Sequence, residues 1–288
     1  MDNLFRYITA DGSAFLHVID SSNIVKKMEY IHKTSATASA ALGRALTVAS
    51  LMGAGLMKDD SSLTLQIKGD GPIGSIVVVS DHEGNVRGYC DNPSADIPSN
   101  SKGKLDVGNL VGKNGTIYVI KDLGLDRPYI GQIPIKSGEI AEDIVEYYAV
   151  SEQVPTVCSL GVLVDKDLSI RCSGGFLLQL LPGADNSVIS KLEDNIAKFP
   201  YISSLLDSGA TPSDIAGMVF ESLDYNELDH SYVEYRCTCS RERMERVLIS
   251  LGKTELRRLA TEQENTEIVC HFCNTKYNFS SDELRSLL

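Results

Sequence analysis

Four of the seven cysteines form two close pairs in the last part of the chain. A Cys237-x-Cys239 pair is followed, after 30 residues, by a Cys270-x-x-Cys273 pair. Zinc binds four thiolates tetrahedrally, and pairs separated by one or two residues supply two ligands each without long loops. Because neither pair alone completes a tetrahedral shell, the spacing predicts one Zn²⁺ per chain, ligated by Cys237, Cys239, Cys270 and Cys273.

The chemistry of such a site depends on whether its thiols stay reduced. In one interpretation the zinc is purely structural, and its binding supplies folding free energy that residues 237–288, with few apolar side chains, lack. In the other the thiols are redox-active, because Cys-x-Cys is unusual among structural zinc sites and its sulfurs are close enough to form a strained disulfide. His271 lies within the second pair, but four cysteines already fill the shell, so we expect it to have a structural role.

The remaining residues of chemical interest predict no second site. The stretch from Gly69 to Gly74 lacks the Gly-Lys-Ser/Thr ending of a phosphate-binding loop and precedes a strand pattern, so we expect no nucleotide. Three other cysteines lie among strand-like or small residues, which favours burial as small hydrophobic side chains: Cys90, Cys158 and Cys172. Four histidines show no partner spacing, and no catalytic residue is predicted among them: His17, His32, His82 and His230.

The composition excludes two classes of partner. A net charge of −12 and a pI near 4.9 disfavour nucleic acid, which needs a basic protein face. The longest small and apolar run, residues 45–57, has 13 residues. A membrane span needs roughly 18, so we expect no membrane insertion. The N-terminal residues lack the basic start and apolar middle of a secretory signal, which predicts a cytoplasmic protein with reduced thiols.

Residues 1–180 predict an α+β core domain with a mixed α/β sheet architecture. Strand and helix patterns do not alternate regularly, which disfavours a doubly wound sheet. Helices are predicted over residues 35–57 and 140–148. Period-2 patterns and Gly-rich turns predict strands over residues 15–19, 62–68, 75–79, 116–120 and 161–164.

Residues 181–234 predict a helical linker, and residues 235–288 a small C-terminal zinc-binding domain. Residues 181–236 carry three basic and ten acidic side chains, whereas residues 237–288 carry eight of each. Linker helices are predicted over 187–199, 202–207 and 212–223, the last of them capped by Thr211. In the last domain the predicted features are helix caps at Ser240 and Thr254, a hairpin of 268–269 with 277–279, and a capping box at Ser280-x-x-Glu283.

Over its whole length the sequence resembles the redox-regulated 33 kDa heat-shock chaperone family, a group of bacterial holdases. Both cysteine pairs match the family pattern without departure. The resemblance implies an α+β core, a helical linker and a C-terminal zinc domain, and it carries zinc ligation and redox sensing onto Cys237, Cys239, Cys270 and Cys273. The other matching stretches are residues 43–47, 63–72, 86–89, 121–124, 151–155 and 174–179.

The resemblance also implies a mechanism. The reduced, zinc-bound form is inactive, and oxidation forms the disulfides Cys237–Cys239 and Cys270–Cys273 and releases zinc. The C-terminal domain and the linker then unfold and expose apolar surface, which binds unfolding client proteins without ATP. Oxidised members of the family dimerise, so we expect a homodimer in that state.

Two other functions compete with a chaperone. A thiol-disulfide oxidoreductase would use the Cys270-x-x-Cys273 pair, but thioredoxin-like motifs follow a strand in a β-α-β setting, whereas this pair lies in a predicted hairpin. A zinc-ribbon nucleic-acid binder would need a basic surface, and residues 237–288 are electrically neutral.

Overall fold

The computed structural model describes residues 1–56 and 59–288, which form two compact units, Met1–Tyr235 and Arg236–Leu288. The first unit contains two five-stranded sheets and several helices, and the second a two-stranded sheet with three helices. The predicted α+β class is therefore confirmed. Within the described ranges, no helix has the length and apolar character needed to cross a lipid bilayer.

Two antiparallel sheets build the first unit, and all five strands predicted from the sequence lie in them. The first sheet has the order β10-β1-β2-β9-β8, and its strands are β1 (Asp2–Thr9), β2 (Ala14–Asp20), β8 (Thr156–Val164), β9 (Ile170–Leu180) and β10 (Tyr225–Val233). The second sheet has the order β5-β4-β3-β6-β7, and its strands are β3 (Ser62–Lys68), β4 (Ser75–Asp81), β5 (Val86–Cys90), β6 (Thr116–Asp122) and β7 (Tyr129–Pro134).

One buried helix, α2 (Ala36–Gly53), packs against strands of both sheets. Its small residues permit this close packing: a Cβ added at Gly43 would lie 3.0 Å from a methyl group of Val162 in β8. The helix predicted over 35–57 is thus confirmed up to Gly53, and Met57 lies outside the described residues. The other elements before residue 180 are α1 (Ser22–His32), α3 (Val107–Val111), α4 (Ala141–Tyr147) and a π-helical turn at Tyr148–Glu152.

His17 is a buried titratable group beneath this helix. Its side chain is 3% exposed, and Nδ1 donates a hydrogen bond to the Leu51 carbonyl at 3.0 Å. Nε2 has no hydrogen-bond partner among the described residues. Burial, with a smaller effect of the Arg6 charge, lowers the pKa of His17 to about 4. The imidazole is therefore neutral in the folded protein near neutral pH.

We expect acid to destabilise the first unit through His17. The folded-state pKa lies below that of an unfolded histidine, about 6.5, so only the unfolded chain gains a proton as the pH falls from that value toward 4. The free energy of unfolding then decreases by up to about 1.4 kcal/mol per pH unit, or about 2 kcal/mol between pH 7 and pH 5. Urea unfolding at these two values measures the loss. Between pH 7 and pH 5, a His17→Asn variant should lose less free energy of unfolding than the wild type. The control variant His230→Asn, at an exposed histidine, should lose as much as the wild type.

The predicted linker helices are confirmed as α5 (Asn186–Ala197), α6 (Ile202–Asp207) and α7 (Pro212–Val219), although α7 ends before the predicted residue 223. They cover one face of the first sheet, and the contact forms a second apolar cluster in this unit, which we call the linker core. Its buried sheet residues are Tyr7, Ala14, Leu16, Val18, Phe176 and Leu178, and its buried helical-region residues are Val188, Leu192, Ile202, Ile215, Ala216, Val219 and Phe220.

The linker region also contains a strand that the sequence did not predict. β10 pairs with β1 from Tyr225 to Val233, and Asp229 accepts a hydrogen bond from Arg6 at 2.6 Å. The segment 181–234 is therefore helical only in its first part. Both parts pack within the first unit, so the linker contributes to the core's own sheet and its apolar cover.

Tyr235 fixes the end of the first unit. It is 1% exposed, its hydroxyl donates to the Gly88 carbonyl at 2.8 Å, and His32 Nε2 lies 3.2 Å from the same hydroxyl. The neighbouring Glu234 carbonyl accepts from the Val86 N–H at 3.0 Å. The chain thus leaves β10 through an anchored residue, with one residue between this anchor and Cys237.

The second unit has a small apolar core. Its buried hydrophobic side chains are Leu248, Leu256, Ala260, Phe279 and Leu284, with Cys270 buried as well. The Ser240 cap, the hairpin and the Ser280 capping box are confirmed, but α9 begins at Lys253 because Gly252, with φ at 85°, starts it in place of Thr254. The elements are α8 (Arg241–Ser250), α9 (Lys253–Glu262), β11 (Asn265–Val269), β12 (Lys276–Ser280) and α10 (Ser281–Ser286).

Candidate metal centre

The four predicted ligands come together in the second unit. Their Sγ atoms all lie within 4.8 Å of one another, with 3.7 Å between Cys237 and Cys270 and 3.4 Å between Cys239 and Cys273. Four thiolates at about 2.3 Å from a tetrahedral zinc ion are about 3.8 Å apart. The size of the cluster and its all-thiol chemistry therefore fit Zn²⁺, and these four residues could hold the ion.

A tight turn between β11 and β12 positions the second pair. The N–H groups of Cys273 and Asn274 donate to the Cys270 carbonyl at 3.3 and 2.8 Å, and the Cys270 N–H donates to the Thr275 carbonyl at 2.9 Å. Asn274 has φ at 56°, a left-handed conformation that asparagine tolerates better than most residues. The backbone N–H groups of Phe272 and Cys273 also donate to the Cys270 sulfur, which stabilises a thiolate there.

The first pair lies directly before the N-terminus of α8. Ser240 caps this helix by accepting from the Arg243 N–H at 3.3 Å, so Cys239 precedes the positive end of the helix dipole. Arg243 also donates to the Thr238 hydroxyl, between the two cysteines. Arg241 ties the helix to β12 and α10, with its guanidinium over the Phe279 ring at 4.3 Å and Nη2 2.6 Å from Glu283. These contacts fix the start of α8 next to the first cysteine pair.

Two hydroxyl groups contact the sulfurs. The Tyr277 hydroxyl donates to Cys239 Sγ at 3.1 Å, and the Thr275 hydroxyl lies 3.1 Å from Cys273 Sγ. Neither residue was predicted from the sequence. Residues 271–275 form a turn with left-handed Asn274, so no regular side-chain alternation in the sequence indicated these contacts.

The thiols differ in how their surroundings affect ionisation before any metal is bound. Burial raises the pKa of Cys237 and of Cys270. Burial also acts to raise the pKa of Cys273, but hydrogen bonds from Thr275, Cys239 and Cys237 together outweigh it and lower that pKa to about 7. The hydrogen bond to Cys239 raises the pKa of Tyr277 to about 12, so Tyr277 is a hydroxyl donor at neutral pH.

The three other cysteines lie apart from this cluster. Cys90 and Cys172 are buried, as predicted, whereas Cys158 is half-buried. Burial raises the pKa of Cys90 and Cys158 to about 12 and that of Cys172 to about 11. Thiols with such values carry almost no reactive thiolate at neutral pH.

Other residues considered from the sequence do not join the cluster. His271 is exposed and is not one of the four clustered groups. Gly69–Gly74 forms a turn that packs against the backbone at Val111, and strand β4 follows it. The Cys270–Cys273 pair lies on a hairpin turn, which is unlike the strand-to-helix position of a thioredoxin-type pair.

The chain is similar to chaperones over its full length. A family model described as "Hsp33 protein" matches residues 2–280. The "33 kDa chaperonin" of Clostridium botulinum (strain 657 / Type Ba4) is 46% identical over 287 residues, which cover 100% of this chain and 97% of that protein. The protein of the same name in Clostridium acetobutylicum is 46% identical over 288 residues, again with 100% and 97% covered.

The fold agrees with this similarity. The crystal structure of the 33 kDa chaperonin (heat shock protein 33 homolog) from Thermotoga maritima matches with a TM-score of 0.90 and 36% identity, covering 99% of this chain and 97% of that one. These relatives are named as chaperonins and not as enzymes. The family resemblance seen in the sequence is therefore confirmed. Membership of this family implies a chaperone role and the binding of unfolded proteins. The chain belongs to the Hsp33 family.

Proposed function

We propose that this protein is a redox-regulated holdase that prevents aggregation without ATP in the cytoplasm. The observation that carries the proposal is the cluster of four sulfurs within 4.8 Å in a unit whose apolar core is small. In the reduced state Cys237, Cys239, Cys270 and Cys273 hold one Zn²⁺ and the protein is inactive. Bound zinc would supply much of the folding free energy of residues 236–288.

Oxidation would remove the ligands. A cysteine sulfur attacks one oxygen of peroxide, the O–O bond breaks, and the sulfur becomes a sulfenic acid while hydroxide leaves and takes up a proton. The second thiol of the pair then displaces water and forms the disulfide. The two thiols thus give two electrons to one peroxide molecule as each disulfide forms, and the peroxide is reduced to two waters. The proposed products are Cys237–Cys239 and Cys270–Cys273, neither of which can ligate zinc through thiolates.

Unfolding of the second unit would loosen the linker, because the end of the linker continues directly into that unit. With zinc bound, β10 and Tyr235 continue into a folded unit, whereas after oxidation they continue into a disordered tail. The hydrogen bonds of Tyr235 and Glu234 would then be the last contacts before a disordered chain, and terminal segments are the first parts of a fold to fray. Short helices have little stability apart from packing, so α5 to α7 would separate from the first sheet once β10 frays.

The surface under the linker has the character of a client-binding site. Tyr7, Leu16, Val18, Phe176 and Leu178 are buried in the linker core, and they lie on one sheet face. Their exposure would create a contiguous apolar patch, of the kind that binds other proteins. The acidic linker would keep the assembly in solution. We also propose that the oxidised protein forms a homodimer, which sedimentation analysis of both redox states would detect.

The decisive experiment follows aggregation of a thermally unfolding client by light scattering. We expect no protection by the reduced, zinc-loaded protein and strong protection after peroxide treatment at mild heat, in both cases without nucleotide. Equal protection by the two forms would contradict redox regulation. In parallel, turnover in an insulin-reduction assay would favour an oxidoreductase, and salt-dependent binding of labelled DNA or RNA would favour a nucleic-acid protein.

A single ligand substitution tests the metal site. We expect the reduced wild type to hold one zinc per chain and Cys273→Ser to bind zinc at least tenfold more weakly, because serine is a poor ligand for zinc and leaves a three-thiolate site. Metal analysis with a competing chelator measures the change. Cys90→Ala is the matched control, since Cys90 is a buried thiol in the first unit. Unchanged zinc affinity in Cys273→Ser would show that the ion is held elsewhere.

A further inference from the structure

The Tyr277 hydroxyl is a side-chain donor that reaches across the cluster. It lies on β12, on the strand that follows the second cysteine pair, yet it donates to Cys239 of the first pair at 3.1 Å. Pairing of Tyr277 with Ile268 on β11 fixes its backbone, and its ring packs against the apolar core of the second unit. The hydroxyl is therefore held in place by the hairpin and not by the cysteines alone.

The other sulfurs have different donors. Cys237 receives a hydrogen bond from the Cys239 N–H, and Cys270 receives two from the backbone of its own turn. Cys273 has the Thr275 hydroxyl, from a residue only two positions away. Among the described residues, the contact between Tyr277 and Cys239 is thus the side-chain hydroxyl contact that joins the first cysteine pair to β12, the strand that follows the second pair.

We propose that Tyr277 is a positioning residue that slows oxidation of Cys239 and so sets the oxidant threshold of the switch. The inference rests on the zinc-thiolate switch proposed above. The Cys239 sulfur must direct an electron pair at a peroxide oxygen, whose O–O bond breaks as hydroxide leaves with a proton from solvent. A lone pair engaged by the Tyr277 hydroxyl is less available for this attack, because the hydrogen bond stabilises the thiolate more than the transition state.

The same hydrogen bond should also affect the bound metal. Partners of the ligands orient them and tune their electron donation. In Tyr277→Phe the ring and its packing remain, while the O–H donor to sulfur is lost. The Cys239 thiolate then becomes a stronger electron donor and a better nucleophile.

The test compares Tyr277→Phe with the wild type in the full chain, using zinc for the kinetics and Co²⁺ for spectroscopy. We expect peroxide-driven zinc release to be about three- to tenfold faster, the effect of losing one hydrogen bond. We also expect the sulfur-to-cobalt charge-transfer band to move to longer wavelength, since the sulfur lone pair is no longer stabilised. Tyr232→Phe is the matched control, because Tyr232 is exposed and lies in the first unit; it should change neither readout.

The possible outcomes distinguish an error about the role of Tyr277 from an error about the zinc-thiolate switch. If Tyr277→Phe binds metal but shows wild-type release and a wild-type cobalt band, the role of Tyr277 is wrong while the switch stands. If the wild type binds no metal, the proposed function itself fails. If Tyr277→Phe cannot hold metal, incorporation of 3-fluorotyrosine at position 277 keeps the ring and strengthens the donor. Release should then be about twofold slower, and an equal or faster rate would overturn the inference.

Discussion

Replacing Cys237, Cys239, Cys270 and Cys273 together by serine should give a holdase that is active without oxidation. The variant has no thiol at the site, so it separates loss of metal from sulfur chemistry. Structural zinc contributes about 10–16 kcal/mol to small zinc-finger peptides at neutral pH, and the few buried apolar residues of the second unit cannot replace such a contribution. We expect residues 236–288 to unfold and client aggregation to be suppressed under reducing conditions.

The measurement needs an independent check of unfolding. Hydrogen exchange should show fast exchange over residues 236–288 and over the linker helices, while β3 and β4 stay protected. A variant with Cys90, Cys158 and Cys172 replaced by alanine controls for loss of thiols and should remain inactive when reduced. If residues 236–288 are unfolded and the serine variant still fails to bind clients, unfolding of this unit is not the activating event.

Phe220→Ala should activate the protein by a different route, with zinc still bound. Phe220 is 1% exposed in the linker core, and its ring centroid lies 5.2 Å from that of Tyr225 at the start of β10. Removing a buried phenylalanine side chain costs about 3–5 kcal/mol, which is more than short helices gain from their own backbone. We expect the linker helices to lose protection from hydrogen exchange and the reduced protein to suppress client aggregation.

Met218, two residues before Phe220 and within α7, offers a matched control. It is 38% exposed, so Met218→Ala removes a large side chain without opening the linker core and should leave the reduced protein inactive. Zinc content should stay at one per chain in both variants. If Phe220→Ala loses linker protection but still requires oxidant for activity, the surface under the linker is not the client-binding site.

Local patterns in the sequence predicted the cluster of four cysteines and most of the elements around it. The spacing places the two thiols of each pair close together, and the requirement of a tetrahedral zinc shell for four thiols predicted that the two pairs meet. The Thr211 cap and the Ser280 capping box depend on residues three positions apart, which is why α7 and α10 begin where predicted. At α9 the strong turn residue Gly252 moved the helix start ahead of Thr254.

Features that depend on distant contacts could not be predicted in this way. β10 is largely exposed and carries charged residues, so its sequence has no apolar alternation, and only pairing with β1 makes it a strand. The partner of the linker helices was also unpredictable, because an apolar helix face does not specify which surface covers it. Tyr277 reaches Cys239 only because the hairpin folds back, across 38 positions of sequence.

Pairing of β10 with β1 determines whether the released linker is a free tail or a closed loop. When reduction restores β10 and the Tyr235 anchor before α5 to α7 repack, residues 181–224 form a closed loop between β9 and β10. Closing a loop of this length costs roughly 3 kcal/mol relative to a free chain, so the disordered linker gains less entropy than an untethered tail would. Both of its ends also stay on the sheet that it covered, at high effective concentration. The loop would therefore compete with every bound client and cover the apolar face again soon after the thiols are reduced.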